Sequence, residues 1–389
     1  RERPRVIYYE QMNATPAPTG LAKLLHIHWA LVILIAAVAS IGFLMLFSVA
    51  GGSLDPWARS QMVRFGMGMA VMFIVALIHI RFWRRVSLLA YLGALGLLLA
   101  VEFVGSVGMG AQRWIDLGFM RLQPSEVMKV ALVMVLAAYY DWLEPEKVSR
   151  PFWVLVPLVM TAVPVALVLM QPDLGTAILL VLGAAVIMFL AGVSWWYFGT
   201  AIAGGVGLVT AVITSKGTPW QILKDYQYRR IATFLNPELD PLGAGYHITQ
   251  SKIALGSGGI SGRGLMEGTQ SRLNFLPEKH TDFIFTTLAE EFGLVGGVTL
   301  LSLYALIILF CTLSAVQNRD RYGALLTAGL AATFFFFFAV NMSMVMGLAP
   351  VVGVPLPLVS YGGSAMLVLL GAFGLIQSAH IHRPRGPVR

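Results

Sequence analysis

Apolar runs of roughly 18 or more residues recur along the chain and are separated by short polar turns. A helix of that length crosses a bilayer, and the lipid requires each such segment to satisfy its own backbone hydrogen bonds. The pattern therefore predicts an all-α polytopic membrane protein with ten transmembrane helices. We place them at 29–49, 61–79, 86–104, 125–142, 153–170, 174–191, 195–213, 284–313, 322–342 and 359–379.

The longest polar interval, residues 214–283, separates the seventh and eighth predicted helices. Within it, residues 225–235 and 246–255 alternate basic and apolar positions at helical spacing. Helices of this kind lie in the membrane interface with their apolar side towards the lipid. We therefore predict one large extracytoplasmic loop that carries short interfacial helices, with a flexible glycine-rich turn at 256–264.

The composition agrees with a membrane protein. Of 389 residues, 57% are hydrophobic and 12% are charged, whereas a soluble domain carries about 25% charged residues. The single cysteine, Cys311, falls in a predicted span, which excludes an intrachain disulfide. We expect a tail at 1–28, one membrane domain at 29–379 and a second tail at 380–389. The chain starts with Arg1 rather than Met, which leaves room for further residues before it.

Lysine and arginine are distributed unevenly between the two sides of the predicted bundle. Because the number of spans is even, both termini lie on one side. The short loops on that side are basic and therefore cytoplasmic; they carry Arg81, Arg84, Arg85, Lys147, Arg150, Arg319 and Arg321. The large loop is about 70 residues long, beyond the reach of this rule. Topology thus explains the net charge of +8, and nucleic-acid binding is not expected.

Asp282 lies in the stretch 273–297, where the polar interval ends and the eighth predicted helix begins. One interpretation is a carboxylate in the first helical turn, which the helix dipole favours. The other is a general base at the outer membrane surface, set in an apolar wall. Glu290 and Glu291 follow in the same long helix, and we expect them to face protein or a cavity rather than lipid.

Two further sets of polar residues are candidates for chemistry. Glu126 and Lys129 lie three residues apart on one face of the fourth predicted span. Ionisable groups inside a membrane are costly, so this pair is either a structural ion pair or a functional one. In the preceding loop, Trp114 and Asp116 suit an interface contact and a turn at least as well as direct chemistry.

Other polar positions have simpler explanations. Asp173 is predicted to cap the sixth span, and Asn341 to bridge helices. Residues 355–364 form a proline- and glycine-broken approach to the last span, and broken helices at membrane depth usually line a cavity. The glycine cluster at 256–264 lacks the register and the βαβ context of a phosphate-binding loop. No Cys/His spacing indicates zinc.

Several ordered motifs resemble the SEDS family (shape, elongation, division and sporulation), and most closely its RodA branch. The resemblance covers nearly all of the chain after the N-terminal tail. It rests on RWIDLG at 113–118, QPSE at 123–126, QPDLGT at 171–176, QSKIA at 250–254, the stretch 273–297, Asn341 and SYGGS at 360–364. The sequence GVPLP at 353–357 favours the RodA branch over the division branch.

The resemblance implies a peptidoglycan glycosyltransferase that polymerises lipid II at the outer face of the bacterial cytoplasmic membrane during cell elongation. It implies that Asp282 is the essential aspartate, that Glu126 and Lys129 are an intramembrane acid–base pair, and that Trp114 is a loop residue of the site. It also implies a class B penicillin-binding protein as partner, beside other elongation proteins.

Physical reasoning extends this expectation. A basic outer loop can hold the diphosphate of lipid II, and the candidate substrate-binding residues are Trp114, Lys252, Arg263, Arg272, Lys279 and Ser360. Asp282 would take the proton of the acceptor hydroxyl, with inversion at the anomeric carbon and departure of lipid diphosphate. We expect no organic cofactor, and the sequence leaves open whether a divalent cation assists.

Two other functions remain open from the residues alone. A lipid II flippase would also suit ten spans, broken helices and an intramembrane Glu126–Lys129 pair. Against it, no inverted repeat is visible, and the polar residues concentrate on one side of the membrane. A non-catalytic scaffold for cell-wall enzymes would make Asp282 dispensable.

Overall fold

The computed structural model describes residues 18–20, 22–104, 106–108, 111–116, 118, 121–221, 228, 232, 244–268 and 279–384. This part of the chain is mostly helical. Its long helices are α1 (Trp29–Val49), α2 (Ala58–Leu77), α3 (Ile80–Val104), α4 (Pro124–Trp142), α5 (Pro151–Met170), α6 (Leu174–Ala191), α7 (Trp195–Ser215), α8 (Ala244–Ser257), α9 (Ile284–Val316), α10 (Arg321–Val345) and α11 (Ser364–Ile381). Short turns of helix lie at Ala22–Leu25 and Pro145–Lys147.

Nine of these helices within the described residues are long and apolar enough to cross a membrane. They are all of the long helices except α4 and α8. Helix α4 occupies the position of the fourth predicted span, but its 19 residues include the ionisable Glu126, Lys129 and Asp141. A membrane protein with many helical spans is therefore confirmed, while the count of ten rests on the assignment of α4.

Two predicted helices begin at positions other than those observed. The third span was predicted from residue 86 but begins at Ile80, so the basic residues at 81, 84 and 85 lie in the helix rather than in a turn. The last helix was predicted from residue 359 but begins at Ser364, because the chain between α10 and α11 is extended around Pro355 and Pro357. The second interfacial segment, 246–255, is helical as predicted and forms α8. The first, 225–235, lies outside the described residues except for positions 228 and 232.

A small antiparallel sheet precedes α4, and the all-α prediction missed it. It consists of β1 (Ser106–Gly108), β2 (Ala111–Asp116) and β3 (Arg121–Leu122) in that order. Trp114 pairs with Ser106, and Asp116 pairs with Arg121. The strands are two to six residues long, too short for any periodicity to appear in the sequence. The sheet places residues 113–116 of the RWIDLG motif in a strand rather than in an irregular loop.

Helix α9 is broken at Gly293, whose backbone (φ 61°, ψ −155°) is not helical. The break frees backbone groups, and the glycine-rich segment 258–264 satisfies them. The amide of Leu294 donates to Gly259 O over 2.9 Å, and the amides of Arg263 and Gly264 donate to Glu290 O and Glu291 O over 3.0 Å each. The segment predicted to be a flexible turn is therefore bonded along one side of α9.

The close approach of these two backbones depends on glycine. A β-carbon on Gly262 would lie 2.1 Å from Glu291 O, and its φ of +80° disfavours any other residue. A β-carbon on Gly258 would lie 1.9 Å from Ala289 O. Both distances are well inside van der Waals contact, so neither position has room for a side chain.

We predict that Gly262→Ala lowers the free energy of unfolding by roughly 2–4 kcal/mol, because the methyl group clashes with backbone and the left-handed conformation is strained. Thermal unfolding of the purified protein in detergent measures the change. Gly256→Ala is the matched control, since a β-carbon on Gly256 meets nothing within 4 Å. Equal melting temperatures for the two variants would contradict the docking of this segment on α9.

Candidate active site

Asp282 lies in a turn, residues 279–283, that directly precedes α9. The helix is capped at Phe283, whose side chain makes no capping hydrogen bond, so Asp282 stands outside the first helical turn. Its carboxylate oxygen Oδ2 lies next to Gly353, 3.7 Å from the position that a β-carbon would take there. The carboxylate therefore faces the extended chain between α10 and α11, residues 350–363, which we call the 350–363 segment.

Hydrogen bonds fix this turn at three consecutive carbonyl groups. His280 O accepts from the amide of Tyr361 over 2.9 Å, and Thr281 O accepts from Ser360 Oγ over 2.6 Å. Asp282 O accepts from Asn341 Nδ2 over 2.9 Å. Two of the donors belong to the 350–363 segment and the third to α10, so the direction of the turn is set from two sides.

Asn341 is fully buried and donates hydrogen bonds both to the Asp282 turn and to the 350–363 segment. Its Nδ2 also donates to Val354 O over 2.7 Å, so one amide group joins the Asp282 turn to the 350–363 segment. Ser360 has a similar double role, because its Oγ accepts from the amide of Leu356 over 2.8 Å. The predicted bridging role of Asn341 is thus observed, although it links a turn and a segment to α10 rather than two regular helices.

Helix α2 and the residue before it, Trp57, support this arrangement through contacts that the sequence analysis missed. Gln61, which is 1% exposed, donates from Nε2 to Ser360 O over 3.0 Å. The guanidinium of Arg64 lies 4.8 Å from the ring centroid of Tyr361. Trp57 stacks on His280 at 4.6 Å with an interplanar angle of 16°. The available signal was a group of polar residues, 59–61 and 64, in the first half of a helix that is apolar beyond it.

Glu126 and Lys129 form a buried ion pair near the start of α4. Lys129 Nζ lies 2.7 Å from Glu126 Oε1, and the side chains are 3% and 10% exposed. The ammonium also lies 3.9 Å from the ring centroid of Phe337 on α10. The predicted pairing is confirmed, and the low exposure makes it costly to break because either partner alone would be an uncompensated charge.

The start of α4 is itself held in place by capping interactions. Asp173 caps α6 by accepting from the amide of Thr176 over 3.1 Å, as predicted. Its other oxygen accepts from Gln123 Nε2 over 3.2 Å, and the amide of Gln123 donates to Ser364 Oγ over 3.1 Å. Helices α4, α6 and α11 therefore meet at the end where Glu126 lies.

A narrow cleft connects the ion pair with the 350–363 segment. Its polar lining residues are Gln61, Glu126, Lys129, Thr333 and Ser360, and the rest of the lining is largely apolar. Ser360 therefore contacts both the cleft and the Asp282 turn. A molecule in this cleft would contact the Glu126–Lys129 pair and also Ser360, which supports the turn that carries Asp282.

The predicted substrate-binding residues are spread more widely. Lys279 is half-buried in the same turn as Asp282, and burial lowers the pKa of its ammonium. Lys252 is exposed on α8 and reaches Gly347, where a β-carbon would lie 3.0 Å from its Nζ. Arg263 is exposed, with Nε 3.4 Å from Ser257 O. Trp114 lies on β2, and Arg272 lies outside the described residues.

Glu290 and Glu291 are buried, at 0% and 1% exposure, so the expectation that they face protein is confirmed. Glu291 Oε1 accepts from Ser48 Oγ of α1 over 2.5 Å.

No group of three or more His, Cys, Asp or Glu side chains that could hold a metal ion occurs in the part of the chain that the structure describes.

Comparison with known proteins gives a consistent result. Residues 23–385 match the FTSW_RODA_SPOVE family model, described as "Cell cycle protein". The chain is 42% identical to the peptidoglycan glycosyltransferase MrdB of Escherichia coli (strain K12), over 92% of this chain and 94% of that protein. It is 33% identical to the peptidoglycan glycosyltransferase RodA of Treponema pallidum, over 90% of this chain and 96% of the relative.

Solved structures show the same likeness. One chain from a study titled "Structural coordination of polymerization and crosslinking by a peptidoglycan synthase complex" superposes with a TM-score of 0.78 and 32% identity, covering 92% of this chain and 98% of that chain. The crystal structure of RodA from Thermus thermophilus superposes with a TM-score of 0.69 and 29% identity, covering 94% and 99%.

We predict that Asn341→Ala speeds hydrogen exchange at residues 279–284 and lowers the free energy of unfolding by roughly 2–3 kcal/mol, because two buried carbonyls lose their donor. Exchange measured by mass spectrometry locates the change. The control is Asn318→Ala, which removes a buried amide bonded to Ala379 O over 3.2 Å at the other end of α10. It should cost stability without affecting the Asp282 turn. Equal exchange at 279–284 in both variants would contradict the role of Asn341.

Proposed function

The chain belongs to the FtsW/RodA/SpoVE family of cell-cycle proteins, which is the SEDS family, and we propose that it is a peptidoglycan glycosyltransferase that polymerises lipid II. The observation that carries the proposal is the turn of Asp282, which three hydrogen bonds hold beside the cleft at the start of a membrane helix. This arrangement provides one oriented carboxylate, and Ser360 links its turn to a largely apolar cleft that the Glu126–Lys129 pair also lines.

In the proposed reaction, Asp282 is the general base. It accepts the proton of the acceptor sugar's 4-hydroxyl, whose oxygen attacks the anomeric carbon of the donor with inversion. The bond from that carbon to the lipid diphosphate breaks, and the diphosphate leaves with the electron pair. A single carboxylate suffices, because diphosphate leaves without the protonation that hydrolysis of a glycoside requires. Rigid placement of Asp282 supports this role, since proton transfer needs the base within hydrogen-bond reach.

Glu126 and Lys129 act as the second polar centre of the site. Their contact at 2.7 Å and their position in the cleft support a role in orienting the substrate relative to Asp282. Lys279 is the best placed of the basic candidates to hold the diphosphate, because it lies three residues before Asp282 in the same turn. Lys252, Arg263, Arg272 and Trp114 are assigned to the outer parts of the substrate, with Ser360 at the inner edge.

The proposed topology follows from the same assignments. Helix α4 also spans the membrane, as the fourth of ten spans. Both termini are cytoplasmic, and the Asp282 turn faces the extracytoplasmic side of the inner membrane. The basic short loops support this orientation.

The partner is a class B penicillin-binding protein that crosslinks the glycan, and the likeness to a chain of a peptidoglycan synthase complex supports a partner of that kind. The RodA-like sequence at 353–357 supports a role in elongation.

A flippase is not favoured, because the relatives that match nearly the whole chain are named glycosyltransferases. A non-catalytic scaffold is not favoured for the same reason. The two alternatives also differ from the proposal in what they require of Asp282, since neither needs a positioned base.

We predict that Asp282→Asn lowers lipid II polymerisation by about 10²- to 10⁴-fold, the usual contribution of a general base. The measurement is the yield of glycan strands from labelled lipid II, resolved on a gel, with the purified protein and its class B partner. Asp55→Asn, which changes a carboxylate that is 69% exposed, is the control and should polymerise at the wild-type rate. Full polymerisation by Asp282→Asn would show that the base assignment is wrong.

A second prediction separates structural from functional roles of the ion pair. Glu126→Gln and Lys129→Met should each lower the free energy of unfolding by roughly 3–5 kcal/mol, because each leaves one buried charge without its partner. The double variant should regain most of that stability, because no buried charge remains. Polymerisation should stay below a few per cent of wild type in all three, if about two kcal/mol of barrier depends on the pair. Recovery of polymer in the double variant would reduce the pair to a structural role.

A further inference from the structure

The ammonium of Lys129 has an incomplete set of hydrogen-bond partners. It carries three N–H donors, and Glu126 Oε1 accepts one of them over 2.7 Å. No other hydrogen bond from this ammonium occurs among the described residues. Its side chain is 3% exposed. The ammonium also contacts the ring of Phe337, with the ring centroid 3.9 Å from Nζ.

The face of an aromatic ring carries negative charge from the π electrons and attracts a cation lying over it. This attraction is larger when the pair is shielded from water. Phe337 is 9% exposed, and both it and Lys129 line the cleft. The ring therefore supplies electrostatic stabilisation of the ammonium in addition to that of Glu126. An aliphatic side chain of similar size would fill the space without supplying it.

Phe337 also lies close to Asn341, the residue of α10 that bonds to the Asp282 turn. It precedes Asn341 by four residues on α10, so the two side chains share one face of the helix about 6 Å apart along its axis. Asn341 bonds to Asp282 O and Val354 O, and the ring of Phe337 packs with Val354 and Leu179. One turn of α10 thus contacts both polar centres of the site.

We propose that Phe337 is a positioning residue, whose ring holds the ammonium of Lys129 in its place within the cleft through a cation–π interaction. The inference rests on the proposed function, because it assigns the ring a part in the geometry of that reaction. Phe337 does not touch the reacting atoms in this assignment. It acts through Lys129, whose position relative to the Asp282 turn is set by two residues on the same turn of α10.

The test varies the charge on the ring face while keeping the shape of the ring. Phe337 is replaced in the full-length protein by phenylalanine analogues carrying one, two or three fluorine atoms, each of which makes the ring face less negative. Polymerisation of labelled lipid II is measured for each form with the class B partner present, and thermal unfolding is measured in parallel. Phe373 receives the same series as the control, because it is buried at 2% exposure and packs edge-on against Phe334 without lining the cleft.

We expect kcat/KM to fall stepwise with each fluorine at position 337, by roughly tenfold over the series. The melting temperature should fall in the same order. The series at 373 should be flat in activity. A flat activity series at 337 with an active wild type would overturn the inference, and so would a change in melting temperature alone, since the contact would then be only structural. Absence of glycan strands from the wild type would instead overturn the proposed function.

Discussion

Three consecutive backbone carbonyls, those of His280, Thr281 and Asp282, each accept a hydrogen bond from a different donor. Backbone that is neither helical nor freely accessible to water must find such partners within the protein. The turn can therefore exist only where α10 and the 350–363 segment meet. Its fixed geometry determines where the carboxylate of Asp282 points and where α9 begins. Removing any one donor would leave a carbonyl unsatisfied and release the turn towards other conformations.

The same requirement explains the irregular segment that supplies two of the donors. Prolines at 355 and 357 prevent a regular helix there, so the segment needs partners of its own. Gln61 and Asn341 provide them through bonds to Ser360 O and Val354 O. At the break in α9 at Gly293, the backbone groups that lose their helical partners bond instead to the glycine-rich segment 258–264. Irregular backbone near the site is thus paired with other irregular backbone or with buried amide side chains.

Much of this protein could be predicted from local sequence. The helical spans follow from long apolar runs, the cap at Asp173 from its position before α6, and the Glu126–Lys129 pair from its spacing on one helix face. Contacts between distant parts of the chain could not be predicted. The sheet at 106–122 is too short for a periodic signal, and the roles of Gln61 and Arg64 depend on the fold bringing α2 against residues 360–362. The docking of Gly262 on Glu291 O likewise depends on the break in a helix that starts 22 residues later, at Ile284.

Two lysines of the candidate site, Lys129 and Lys279, differ in what they can bind. Lys129 is committed to Glu126 and to the ring of Phe337, so its charge is already balanced within the protein. Lys279 is half-buried, and burial lowers the pKa of its ammonium because the charged form loses hydration. An anion beside it would favour the charged form and raise that pKa again. Binding of a diphosphate and protonation of Lys279 therefore reinforce each other, whereas at Lys129 an incoming anion would have to compete with Glu126. In the reaction we propose, the buried pair therefore orients the substrate, and Lys279 meets the negative charge of the leaving group at the turn that carries Asp282.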